Sequence, residues 1–301
     1  MNGQKTRVKI GAGKERFFII AMLIIPISNF LMFWVYTSFG TILMAFQKWD
    51  NAKGKDVWTM NNFKMLFEEM SKTDSSIWIN LKNTALYFCT DLFLMLPLCL
   101  LLCYFLYKRI AGYKVFRFVF NLPAIVIATV YSAIFKQILA PGGAIGALSQ
   151  RLTGDVIPFL TDSRYATATI WAYYVYINLA GNLIYFTGAM SNIDSEIIEA
   201  GKIDGTTLTT ELMRLVIPLI WPTLSTMILF KFVGIFGSSG PVMLFTQGAY
   251  KTSTFSFWLY ELVYYSQNYY YSSALGILLT LATAPIVFGL RKLLLKGYVG
   301  E

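Results

Sequence analysis

The chain has 301 residues, 56% of them hydrophobic and 14% charged, with a net charge of +9. A soluble domain of this length has no interior large enough for that much apolar surface, so composition points to a multi-pass membrane protein, whose long apolar runs are read below as the spans of an all-α fold. Histidine is absent, which removes the commonest general base and metal ligand. The basic residues sit in short clusters beside apolar runs, a pattern of membrane topology rather than of nucleic-acid binding.

Residues 1–16 carry Lys5, Arg7, Lys9, Lys14 and Arg16 against a single acid and read as a cytoplasmic segment. The apolar run that follows is too long for a signal-peptide core and lacks a small-residue cleavage site. It predicts a first membrane span over 17–39, apolar as far as Phe46, with Pro26 and Asn29 tolerable inside a packed bundle. The segment 47–83 is a polar loop in which six lysines nearly balance five acids. A second span is predicted over 84–107. It contains Cys89, Cys99 and Cys103; the last two share a helix face and read as packing residues, neither a disulfide nor a metal site.

Lys108, Arg109, Lys114 and Arg117 form an acid-free basic cluster before a third span, 118–139. Pro141-Gly142-Gly143 ends that span, and 140–164 reads as an outer loop. A fourth span is predicted over 165–190 and a fifth over 217–239. The stretch 240–271 is rich in Trp and Tyr, which favour the headgroup zone, so it reads as interfacial or re-entrant. A sixth span, 273–290, precedes a tail, 291–301, with Arg291, Lys292 and Lys296. The transmembrane domain is thus expected over 17–290. Six spans agree with the basic clusters in placing both termini, and the tail 291–301, in the cytoplasm.

The polar segment 191–216 interrupts this pattern. Asp194 or Ser195 can cap a short helix with Glu196 in its first turn, and Gly205 is placed to end it in a left-handed conformation. A second helix would put Leu208, Leu212, Leu215 and Val216 on one face, with Pro218 and Pro222 interrupting the run into the next apolar stretch. Ala200, Gly201 and Gly205 leave the first helix thin enough for another backbone to approach. Its core, Glu199-Ala200-Gly201, then Asp204-Gly205, nine residues, and Leu215-x-Ile217-Pro218, resembles the EAA loop of ABC importer permeases. The departures are Gly201 for the second Ala, Leu215 for Ile and Ile217 for Leu.

The resemblance implies the type I ABC importer permease fold and a loop that docks, as a coupling helix, on an ATPase subunit through Glu199, Ala200, Gly201, Asp204 and Gly205. Trp49-Asp50, Asn62-Phe63, the segment 112–123 and the run Phe245-Thr246-Gln247-Gly248 with 252–260 also resemble segments of sugar permeases. Among these, the region ending at Trp49-Asp50 looks like the F-type rather than the G-type partner of the maltose and multiple-sugar permeases. The implied partners are a second homologous permease, two ATPase subunits, an extracellular solute-binding protein, a sugar substrate and membrane lipid, in a bacterial plasma membrane. MgATP would sit on the ATPase subunits, since this chain has no P-loop and no cofactor of its own is expected.

Within the spans, Asp91 and Lys231 are charges that normally face a bundle interior or an aqueous cavity, although Asp91 is also near enough to a span end to be interfacial. Tyr174, Asn178 and Asn182 recur at i, i+4 and i+8 on one face of the fourth span, and Lys231 and Ser238 are two turns apart on the fifth. These five residues are candidates for a substrate pathway, with amides and hydroxyls matched to sugar hydroxyls. Interhelical hydrogen bonding accounts for the asparagines equally well. A non-sugar solute such as a glycerol phosphate is the alternative cargo, although it would call for more cations than Lys231. An ion-coupled secondary transporter would need a carboxylate relay or an inverted repeat, and only Asp91 offers the former. A membrane enzyme is disfavoured by the lack of histidine, paired acids or metal-ligand spacing, so no catalytic or metal residues are expected.

Overall fold

The computed structural model describes residues 12–73 and 75–296. Residues 1–11 of the expected N-terminal segment and 297–301 of the tail lie outside the described residues. Among the described residues the protein is built of helices with one small hairpin: α1 (12–45), β1 (Gln47–Asp50), β2 (Lys55–Trp58), α2 (Asn61–Ser71) and α3 (Ser76–Tyr107). Then follow α4 (Tyr113–Ile125), α5 (Ala128–Leu139), α6 (Ala144–Thr153), α7 (Ala166–Ser191), α8 (Ser195–Ile203) and α9 (Leu208–Leu219). The last elements are α10 (Trp221–Val233), α11 (Val242–Phe245), α12 (Phe255–Tyr264) and α13 (Tyr269–Lys296).

Among the described residues, Phe17–Ala45, Ser76–Tyr107 and Tyr269–Leu294 are helices long and apolar enough to cross a membrane. A fourth candidate is the pair α9 and α10, bent by 76° at their junction. The helix α7 has 26 residues, or ~39 Å at 1.5 Å per residue, long enough to cross a ~30 Å core. Its Tyr and Asn residues lower its hydropathy.

The chain divides into two compact units, one holding the chain up to Leu66 with Asn268–Ile277, the other Phe67–Gln267 with the chain from Leu278. In the first unit residues 17–39 of α1 leave their apolar side chains uncovered. The hairpin that follows, in the stretch read as a polar loop, departs from the expected all-α fold. Gly54, at φ +59°, turns the chain, and β1 pairs antiparallel with β2 from Gln47↔Trp58 to Asp50↔Lys55. Buried Asn62 pins it by donating from Nδ2 to the carbonyls of Ala45 and Gln47, both at 2.9 Å, and Phe63 packs on Phe46 at 5.2 Å. The Tyr270 hydroxyl donates to Asp56 at 2.5 Å.

In the second unit α3 starts at Ser76, eight residues before the expected span, because Ser75 caps it by accepting from the Ile77 N–H. Its core joins Leu96, Cys99, Leu100 and Tyr104 of α3 to Leu183, Phe186 and Met190 of α7, then to Ile198, Leu212, Val216 and Leu224. The cysteines are packing residues. Both are buried, and their thiols point at the α7 carbonyls of Leu179 (3.4 Å) and Leu183 (3.3 Å). The side chain of cysteine is small enough to let the two helices close on each other.

The expected third span is two helices, since Val126 and Ile127 are extended (ψ 138° and 134°). The expected fifth span is bent at Ile220, where the prolines at 218 and 222 deny the helix two N–H donors. Wide π-helical turns occur at Phe30–Val35, Thr90–Met95 and Leu212–Val216. The last two end two residues before Pro97 and Pro218, where a wider turn relieves the clash of the ring with the carbonyl four residues back. The final helix runs on to Lys296, past the expected end at 290.

Candidate functional site

The polar segment folds as the sequence suggests. Asp194 has the extended backbone of an N-cap, although its side chain makes no capping hydrogen bond. The helix α8 ends in a Schellman turn: Thr206 N–H bonds to the Gly201 carbonyl (3.0 Å), Gly205 N–H to that of Lys202 (3.1 Å), and Gly205 has φ +77°. Thr207 caps α9 by accepting from the Thr210 N–H at 3.3 Å.

Glu199, Ala200, Asp204 and Gly205 are exposed, whereas Gly201 is buried. The space Gly201 leaves is filled from within the chain. A Cβ there would lie 2.6 Å from Leu215 Cδ1, so the thin side of α8 receives α9. The expected apolar face of α9 is only partly covered. Leu212 and Val216 are buried, but Leu208 is 58% exposed and, on α8, Ile203 is 86% exposed. Two acids, Glu199 and Asp204, and two bare apolar side chains, Ile203 and Leu208, are therefore exposed on this loop.

A residue outside the EAA pattern anchors this loop. Glu211 is 2% exposed, and its carboxylate is met by Lys108 Nζ at 2.6 Å (Oε1) and 2.7 Å (Oε2). The Tyr104 hydroxyl donates to Oε1 at 3.1 Å and lies 3.1 Å from the Leu208 carbonyl. The signal was present. Glu211 stands three residues after Leu208 and four before Leu215, on the apolar face of α9, and Lys108 belongs to a basic cluster that contains no acid.

The second region is a cavity of about 300 Å³ between α7 and the turn after α10. Tyr174, Asn178 and Ser238 line it together, with Tyr173, Gly240 and Leu244. Tyr174 is buried with its ring edge-on to Tyr87 at 4.7 Å, and its hydroxyl lies beside Asp91 and Ser238. Gly240 is at φ +54°, and a Cβ there would fall 3.0 Å from the Tyr87 ring, so glycine lets the turn close on α3. The amides of Asn178 and Asn182 each donate to the carbonyl four residues back, at 3.0 and 3.2 Å.

Two of the five pathway candidates stand apart from that cavity. Asn182 is one turn further along α7 and is not among its lining residues. Lys231 is not a lone cation either, because its Nζ lies 3.3 Å from Asp91 Oδ2 and both side chains are largely covered. Asp91 sits in the π-helical turn of α3, and its Oδ1 is buried without a hydrogen-bond partner. Charge at this level of the bundle is thus compensated. Among the described residues no group of three His, Cys, Asp or Glu could hold a metal ion.

No family model matches the chain. It is 27% identical over 223 residues to the lactose transport system permease protein of Rhizobium radiobacter, covering 71% of this chain and 75% of that one. It is 31% identical over 104 residues to a Caldicellulosiruptor protein named as an ABC transporter permease, covering 34% of this chain and 70% of the relative. Its fold matches a chain of a bacterial ABC transporter involved in import of the acidic polysaccharide alginate. That match has a TM-score of 0.79 at 20% identity and covers 94% of this chain and 96% of the other. The chain belongs to the ABC transporter permeases, the family of these sugar-system proteins, and is a transport subunit rather than an enzyme.

Proposed function

We propose that the chain is one permease subunit of an ATP-driven importer for a neutral oligosaccharide that an extracellular binding protein delivers. The observation that carries this reading is the cavity of Tyr174, Asn178 and Ser238, in which amide, hydroxyl and aromatic groups stand beside a charge-compensated Asp91–Lys231 pair. Sugar hydroxyls both donate and accept, and a pyranose face packs on aromatic rings, so this lining suits a saccharide. A phosphorylated solute would need an unpaired cation there.

On this reading α1, α3, the α4–α5 pair, α7, the bent α9–α10 pair and α13 make six crossings, with both termini and the α8–α9 loop cytoplasmic. The loop would dock on an ATPase subunit through Glu199, Ala200, Asp204 and Gly205, with Gly201 holding α8 against α9. MgATP belongs to two such ATPase subunits. A second permease supplies the other half of the pore, and closure of the ATPases moves the loop and, through Glu211 and Lys108, the bundle.

The test is purification of the tagged chain from its native membrane in mild detergent, with intact masses of what accompanies it. The reading expects a second permease and two copies of an ATPase, and loss of uptake of one neutral oligosaccharide when the chain is deleted. A strain without the chain that still takes up every oligosaccharide at the normal rate would refute it.

A further inference from the structure

A second cavity, of about 400 Å³, lies where the first turns of α3 meet the 248–253 loop and α12. It is separate from the Tyr174 cavity and at the opposite end of α3 from the Lys108–Glu211 pair, which is ~48 Å away along a 32-residue helix. Asn80 lines it. That side chain is 1% exposed, and neither its Oδ1 nor its Nδ2 has a hydrogen-bond partner; the Ser253 hydroxyl in the same lining is likewise buried without one. Buried polar atoms are almost always satisfied, so an amide bare at both ends marks a place where another molecule supplies a donor and an acceptor.

The walls are held in place independently of any ligand. Asn83 donates from Nδ2 to the carbonyls of Lys251 and Ser253, both at 2.8 Å, and Thr84 accepts from the Phe255 N–H at 3.1 Å. The loop also keeps Gln247, Tyr250 and Lys251 at positive φ (51°, 55° and 61°), a strained arrangement that persists only where the surroundings enforce it.

The lining selects among ligand classes. Glu261 opposes an anion and Lys251 opposes a cation, while the serines at 76, 253 and 266 and the Asn80 amide ask for groups that both donate and accept. Trp258 and Leu262 offer apolar surface, which water alone would not use. We infer that this pocket is a second binding site for a neutral saccharide unit, a point at which an oligosaccharide is held by Asn80 and Trp258 before it reaches the Tyr174 cavity. The order of the two sites rests on the importer reading above; the pocket itself does not.

The full chain, with whatever subunits accompany it, is placed in lipid nanodiscs and titrated with lactose, raffinose and maltotriose at up to millimolar concentration, following intrinsic tryptophan emission. At least one saccharide gives a saturable change that survives Asn178→Leu and weakens about tenfold or more in Asn80→Leu, the loss expected for an amide's hydrogen bonds. Asn80→Leu removes two unsatisfied buried atoms, so the empty protein melts no lower than the parent, which separates a binding defect from misfolding. No change with any of the three sugars, or identical binding by Asn80→Leu, overturns the site. Importer and pocket fail separately: saccharide uptake with Asn80-independent binding removes only the pocket, and Asn80-dependent binding without saccharide uptake removes only the importer reading.

Discussion

Lys108 holds Glu211 at 2.6 Å, tying the end of the 32-residue helix α3 to the second helix of the polar loop. Both side chains are largely buried, and Tyr104 completes the carboxylate's partners. Removing one charge strands the other, at a cost of ~3–5 kcal/mol, whereas removing both together is far milder. Glu211→Leu or Lys108→Met alone is therefore expected to lower the melting temperature in detergent, and the double variant to recover most of the loss. The double variant should still fail in uptake while ATP hydrolysis continues; normal uptake would show that the pair is structural and transmits nothing.

Glu199 is exposed on the loop, and Gly205 sits at φ +77°. Glu199→Lys is expected to abolish uptake without reducing the amount of protein in the membrane, because only a docking partner would sense the change. At Gly205 a valine meets a left-handed penalty of ~1–2 kcal/mol, whereas asparagine adopts that conformation more readily. Uptake should follow the order Gly, Asn, Val. Full uptake by both Glu199→Lys and Gly205→Val would remove the docking assignment.

The Asp91–Lys231 pair predicts a change of cargo charge. Asp91→Asn leaves Lys231 without its carboxylate, 3.3 Å away in the parent. Uptake of the neutral saccharide should fall, and a uronate-containing or sulfated oligosaccharide should compete for binding where it did not before. Lys231→Met strands Asp91 instead and should reduce uptake of both. Competition assays with matched neutral and acidic sugars read the difference, and unchanged selectivity in Asp91→Asn would assign the pair to packing alone.

Asn83 makes two hydrogen bonds to the 251–253 segment from one amide nitrogen. Asn83→Ala leaves two carbonyls short of a donor, at ~1–3 kcal/mol for each that stays dry. The expected result is a lower melting temperature and faster proteolysis confined to the 246–254 loop. Uniform proteolysis along the chain would mean that Asn83 supports the whole bundle rather than that loop.

Features written in single residues were legible in the sequence. Gly205 ends α8, the prolines at 218 and 222 flank the 76° bend, and Cys99 and Cys103 pack on one face. Features that depend on what a residue meets across the fold were not. Apolar character runs without pause through Val126 and Ile127, so hydropathy alone reads one span where the backbone makes two helices. The hairpin of β1 and β2 is held by Asn62 amide bonds to carbonyls up to 17 residues away, which a local pattern does not carry. Tyr174, Asn178 and Ser238 could be grouped by helical spacing and chemistry, but the salt bridge that withdraws Lys231 from them joins two helices far apart in sequence.

The π-helical turn at Thr90–Met95 divides α3 into two lengths with separate angular phase. Such a turn holds one residue more than an α-helical one, and each residue of an α-helix turns the chain by ~100°. The half bearing Asn80, Asn83 and Thr84 is thereby aimed independently of the half bearing Cys99, Cys103 and Tyr104. Substitution can tune what each half touches, but insertion or loss of one residue in the turn re-aims an entire half at once. That stretch sets the clocking of two interfaces, so a change in its length disturbs both, whereas a substitution within it acts locally.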